Sequence, residues 1–114
     1  TAKLQADKQA DAIIGLGAPI TMTLLKAKAT AKSEVEVASF DMNSQLVEEI
    51  TKGNVMFTVD QQPWLQGYMA VDALWQNNRG GFTIGGGQAT LTGPAVVDKA
   101  VAEQITSFAQ EGVR

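Results

Sequence analysis

The chain has 114 residues, 45% of them hydrophobic and 18% charged, enough for one domain with its own core and too apolar for a disordered segment. A net charge of −3, with nine scattered Lys and Arg, argues against the basic face that nucleic acid requires, and no apolar run approaches the ~20 residues of a membrane helix. With no Cys and no His, thiol nucleophiles, Cys/His zinc sites and histidine general bases are excluded.

The first residues, 1 to 11, read as the end of a helix with Leu4 as its one large apolar side chain. Ala12-Ile13-Ile14-Gly15-Leu16 is a short apolar run, as expected of a strand buried on both faces. Gly17-Ala18-Pro19 follows, and proline in a first turn starts a helix from Ile20 to about Ala31. Val35 to Phe40 is a second strand, ending in Asp41. Asn43 or Ser44 then caps a helix whose apolar face is Leu46, Val47 and Ile50, and Gly53 supplies the left-handed residue beyond its end.

Val55 to Val59 is a third strand, running into Asp60, Gln61 and Gln62 before Pro63 opens a helix to about Asn77. Trp64, Tyr68, Val71 and Trp75 share one face of that helix, flanked by Leu65 and Leu74. The spacing predicts the best-packed helix of the chain, with the aromatics in the core rather than forming a stacking platform. One of them could instead cover a surface that faces a missing part, and such a patch would promote self-association. Gln76 to Gly81 is a loop by composition. Phe82-Thr83-Ile84 reads as a short extended piece, interrupted by Gly85-Gly86-Gly87. No Gly-Lys-Ser/Thr follows those glycines, so they do not form a phosphate loop. Ala89 to Val97 reads as extended with a break at Gly93-Pro94, and a final amphipathic helix from Ala100 to about Gln110 carries Val101, Ile105 and Phe108.

Alternating strands and helices predict a three-layer α/β domain over residues 1 to 114, a parallel sheet flanked by helices. The chain begins at Thr1 rather than Met. Together with a half-sheet that has nothing before it, this points to a piece of a longer protein, with Thr1 merely its first residue rather than a nucleophile.

In an open parallel sheet, ligands bind beyond the carboxyl ends of the strands. Those ends carry Gly17, Asp41 and Asp60-Gln61. Gly17 lets a ligand approach the backbone, Asp41 is an acceptor-only carboxylate, and Gln61 both donates and accepts. Phe40 offers an apolar surface beside them. The set suits a neutral polyhydroxylated molecule and, lacking Lys or Arg on the rim, suits phosphate poorly. The plainer alternative is that Asp41 caps the next helix and Gln61 is a solvated loop amide. Nothing in the sequence calls for a cofactor or a metal.

The runs "FTVDQQPWLQGY", "ASFDMN" and "LTGPAVVDK" resemble the C-terminal lobe of periplasmic sugar-binding proteins of the ribose/galactose type, the type 1 solute receptors of ABC transporters. The resemblance runs from about Asp11 to Arg114. It implies two α/β lobes joined by crossover strands, a small sugar held between them, a permease partner, a bacterial periplasmic or extracytoplasmic setting, and an N-terminal lobe missing from this chain. Asp41 matches the residue that binds sugar hydroxyls, Gln61 the strand-end glutamine before the proline, and Phe40 an aromatic lining the pocket. Gly17-Ala18 departs from the Asn-Asp that ribose-type members often carry, which leaves the identity of the sugar open. Leu91 to Val97 resembles a crossover near the hinge. Two other classes stay open: the effector domain of a lactose-repressor-type regulator, and an enzyme using Asp41 and Asp60 as a carboxylate pair.

Overall fold

A computed structural model describes residues 1–114. The elements in chain order are α1 (Ala2–Ala6), β1 (Ala12–Gly15), α2 (Ala18–Ala31), β2 (Glu36–Phe40), α3 (Ser44–Lys52), β3 (Thr58–Asp60), α4 (Pro63–Gly80), a short 3₁₀ turn (Ile84–Gly87), β4 (Ala95–Val97) and α5 (Lys99–Gln110). The helix starts follow their local chemistry. Asn43 accepts the Leu46 N–H and Asp98 accepts the Val101 N–H, each satisfying one of the free donors of a first turn. Gly53 closes α3 in the left-handed conformation, as its position in the sequence predicts.

The four strands lie in the order β1-β2-β3-β4. The pairs β1–β2 and β2–β3 are parallel, and β4 joins β3 antiparallel with Thr58 opposite Val97 and Asp60 opposite Ala95. The sheet is therefore mixed. Its parallel part is the predicted one, and the segment before α5 turns back along the edge.

The helices α2, α3 and α5 pack side by side against one face of the sheet. That face holds Ile13, Val37 and Val97, which meet Leu46, Val47 and Ile50 of α3 and Ala102, Ile105 and Ala109 of α5. In α5 the buried stripe is Ala102–Ile105–Ala109, while Phe108 stays exposed. The opposite face is bare: Ile14 is 56% and Val96 59% exposed, with Phe40 beside them. Handedness explains this. Right-handed crossovers that step in one direction, β1 to β2 to β3, place every connecting helix on the same side. A second helical layer needs strands wound the other way, which this chain does not contain. The expectation that β1 is buried on both faces is thus corrected: Ile13 faces the helices and Ile14 faces out.

The larger correction concerns α4. This 18-residue helix has no buried residue, and Trp64, Tyr68, Val71, Leu74 and Trp75 are all at least half exposed. It is the least packed of the long helices, not the best. Trp64 and Tyr68 stack on each other at 5.6 Å, and the Arg79 guanidinium lies 5.4 Å from the Trp75 ring; of these aromatics Trp64 alone also borders a depression with Met42, Ala109 and Val113. The chain leaves the packed body through β3 and returns through β4, and α4 with the glycine-rich turn projects beyond this two-stranded neck. The molecule measures 59 × 27 × 19 Å, and its radius of gyration of 17.8 Å exceeds the about 13 Å of a compact domain this size.

Candidate ligand-binding rim

Strand register sets the rim. Gly15 pairs with Ser39 and Ser39 with Thr58, so these three residues form one row across the parallel strands. Two residues further along, Gly17, Asp41 and Asp60 stand at the same level, followed by Gln61. Neighbouring strands lie about 4.8 Å apart, so the rim from Gly17 to Gln61 spans roughly 10 Å.

The row below the rim is polar and buried. Thr21 on α2 donates or accepts at 2.6 Å with Ser39 Oγ, and its hydroxyl also reaches the Gly17 carbonyl at 3.1 Å. Gly15 leaves the room for this: a Cβ there would fall 2.0 Å from Thr21 Oγ1. Gly17 itself, at φ 155 and ψ 150, occupies a region that residues with a side chain avoid. Thr58, fully buried, donates its hydroxyl to the Asp41 carbonyl at 2.5 Å, while the Asp41 N–H bonds to the Val59 carbonyl at 2.9 Å. These two bonds hold Asp41 at φ 60, a left-handed conformation that costs an Asp residue on the order of 1 kcal/mol.

With its backbone so fixed, Asp41 turns its exposed carboxylate along the rim, where Oδ1 accepts from Gln61 Nε2 at 2.6 Å. The two predicted residues are in direct contact. Asp41 does not cap α3; Asn43 does that. Phe40, 39% exposed, shares with Gln61 an open depression whose other walls include Val59, Gln66, Leu91 and Thr92. Gly17 joins the rim by register, on the far side of Asp41 from Gln61. Because Gln61 donates to Oδ1, the pair leaves Asp41 Oδ2 and Gln61 Oε1 as neighbouring acceptors, an arrangement that receives hydroxyl donors and repels anions.

The three polar residues that end β3 do three different jobs. Asp60 is 1% exposed and faces inward, where Oδ1 accepts the Gln62 N–H at 2.8 Å and Oδ2 lies 3.2 Å from Arg114 Nε. The Nε–H is not aligned for a hydrogen bond, so this contact is a charge pair. Asp60 is therefore not half of a surface carboxylate pair with Asp41. Gln61 points outward to Asp41. Gln62, in the left-handed conformation at φ 58, donates from Nε2 to the Thr92 carbonyl and accepts from Arg114 Nη1 at 3.3 Å. Thr92 returns a bond from its hydroxyl to the Gln61 carbonyl at 2.9 Å. Thr58, Thr92 and Arg114 thus support the rim and escaped sequence reasoning. Thr58 reads as an ordinary strand residue, and nothing local links Arg114 to Asp60.

No family model and no curated relative matches the sequence. Solved structures do. A carbohydrate transporter from Acidothermus cellulolyticus 11B, crystallised in complex with myo-inositol, is 44% identical over 99% of this chain, with a TM-score of 0.93. The fold is that of a lobe of a type 1 periplasmic binding protein. A galactofuranose binding protein superposes on the lobe over 99% of the chain at TM-score 0.79 and 15% identity. A Caulobacter myo-inositol binding protein does so over 89% at TM-score 0.67 and 24% identity, and at these identities the likeness is one of fold. The neighbours are sugar- and inositol-binding proteins, as the three sequence motifs imply. The lobe spans 40% of the first two neighbours and 34% of the third. The first match takes in nearly all of this chain, so the projecting α4 belongs to the shared structure.

Proposed function

We propose that this lobe is part of a solute-binding protein that holds a small neutral sugar or cyclic polyol and delivers it to the permease of an ABC transporter, outside the cytoplasm. The observation that carries this reading is the Asp41–Gln61 pair, joined at 2.6 Å on a common rim and presenting adjacent acceptors to hydroxyl groups. Phe40 supplies the apolar wall against which a ring face rests, and Gly17 lets the ligand come close to the backbone. The partners named for the neighbours, myo-inositol and galactofuranose, are both neutral polyols and fit the same donor–acceptor logic. The 44% identity to a carbohydrate transporter favours a transport receptor over a regulator's effector domain. The role is binding rather than catalysis, since the second carboxylate an enzyme would use, Asp60, is turned inward and paired with Arg114.

The rim is one half of a site. A second lobe closing over it would exclude water and supply the remaining contacts. Further parts of such a protein would also cover the bare sheet face around Ile14 and Val96 and the exposed aromatic face of α4. The 114-residue chain alone is expected to bind sugar weakly. In the complete two-lobed protein, Asp41→Asn is expected to weaken binding of myo-inositol at least about tenfold, the effect of losing a hydrogen bond to a charged group. Calorimetry showing unchanged affinity in that variant would sink the proposal.

A further inference from the structure

We infer that Asp60 and Arg114 are positioning residues for the rim: from inside the neck they fix Gln62, and through it the side chain of Gln61 against Asp41. The inference rests on the reading of Asp41 and Gln61 as the ligand rim for its functional meaning, but its geometry stands without a ligand.

Gln62 adopts a left-handed backbone at φ 58, which a residue with a side chain does not choose unaided. Three bonds hold it there. Its N–H is taken by Asp60 Oδ1 at 2.8 Å, its Nε2 donates to the Thr92 carbonyl, and its Oε1 accepts from Arg114 Nη1 at 3.3 Å. The peptide linking Gln61 to Gln62 is clasped at its carbonyl by Thr92 Oγ1 and Gln66 Nε2, both at 2.9 Å. Gln61 can place its amide on Asp41 only while this peptide keeps its orientation. Asp60 is the keystone because it is a carboxylate with 1% exposure, and its one cationic neighbour is Arg114, at 3.2 Å. Take Arg114 away and the carboxylate is buried without compensation. It then turns toward water or admits water, its hold on the Gln62 N–H loosens, and Gln62 relaxes to an ordinary backbone conformation. The residue that sets the rim is thus 52 positions away from Gln62, on the tail beyond α5.

The test uses the 114-residue chain and the side-chain amide protons of Gln61 in nitrogen-15 spectra. In the wild type their signals are well separated and slow to exchange, because one proton is held by Asp41. In Arg114→Met and in Asp60→Leu, which has no acceptor for the Gln62 N–H, the two signals move toward those of a free glutamine and exchange several-fold faster. Arg114 lies outside every helix and strand, so Arg114→Met keeps the test valid even if Asp60→Leu does not fold. A core variant, Ile105→Val, lowers Tm but leaves the Gln61 signals in place, which separates positioning from general loosening. Gln61 signals unchanged in Arg114→Met would overturn the inference, as would their equal loss in Ile105→Val. Titration of the complete two-lobed protein with myo-inositol is the separate arm: no perturbation of Asp41 or Gln61 there at saturating concentrations would remove the ligand reading while leaving the positioning result standing.

Discussion

Replacing Gly15 by alanine tests the packing that underlies the rim. The added Cβ would sit 2.0 Å from Thr21 Oγ1 and 3.0 Å from the Thr21 Cα. Thr21 cannot simply rotate away, because its hydroxyl is bonded to Ser39 Oγ and the Gly17 carbonyl, and its Cα belongs to the rigid first turns of α2. Strand β1 and helix α2 must therefore separate. Overpacking of this kind costs about 1–3 kcal/mol, and loss of the buried Thr21–Ser39 bond adds about 1 kcal/mol. The expected loss is about 2–4 kcal/mol, a large part of the 5–15 kcal/mol typical of a domain. With a urea slope of about 1.5–2 kcal/mol/M, the midpoint falls by roughly 1–3 M. Far-UV circular dichroism is the right probe, because both tryptophans lie on α4, outside the core. Thr21→Ala in the same chain removes the clashing oxygen, so the double variant should lose less than the two single variants added together. A loss under about 0.5 kcal/mol in Gly15→Ala, or strict additivity in the double variant, would refute the account.

Val71→Glu places a charge on the exposed face of α4 and should change stability by no more than about 0.5 kcal/mol while reducing self-association in sedimentation; a loss above about 1.5 kcal/mol would mean that α4 is packed. Thr58→Val keeps the shape of a fully buried side chain but removes the bond to the Asp41 carbonyl, with an expected cost of about 1–2 kcal/mol in urea unfolding and a shift of the Asp41 amide signal. Hydrogen bonds from Lys52 and then Asn54 hold the Glu49 carboxyl below its ordinary value of 4.5. The folded value is the lower one, so this contribution is complete above about pH 4.5 and is lost as pH falls through the folded value; Glu49→Gln should flatten the acid slope of Tm between about pH 3 and pH 6.

Much of this protein was written locally. The alternation of apolar runs with capped, periodic segments determined three strand–helix units, and their common direction determined that Gly17, Asp41 and Gln61 share one end. Local signals sufficed there because caps, prolines and periodicity act within a few residues. The periodicity of Trp64, Tyr68, Val71 and Trp75 states only that α4 has an apolar face. Whether that face is buried depends on what the rest of the chain brings to it, and this chain leaves Tyr68, Val71 and Trp75 more than half exposed. The same holds for Ile14, whose apolar neighbours in sequence predict burial but whose side of the sheet is left bare by one-directional right-handed crossovers. The fates of Asp60, Gln61 and Gln62 were likewise decided in three dimensions. Adjacent residues with similar polarity are sent inward, outward and sideways by Arg114, Asp41 and Thr92, partners 20 to 54 positions away whose nearness exists only once the neck has formed.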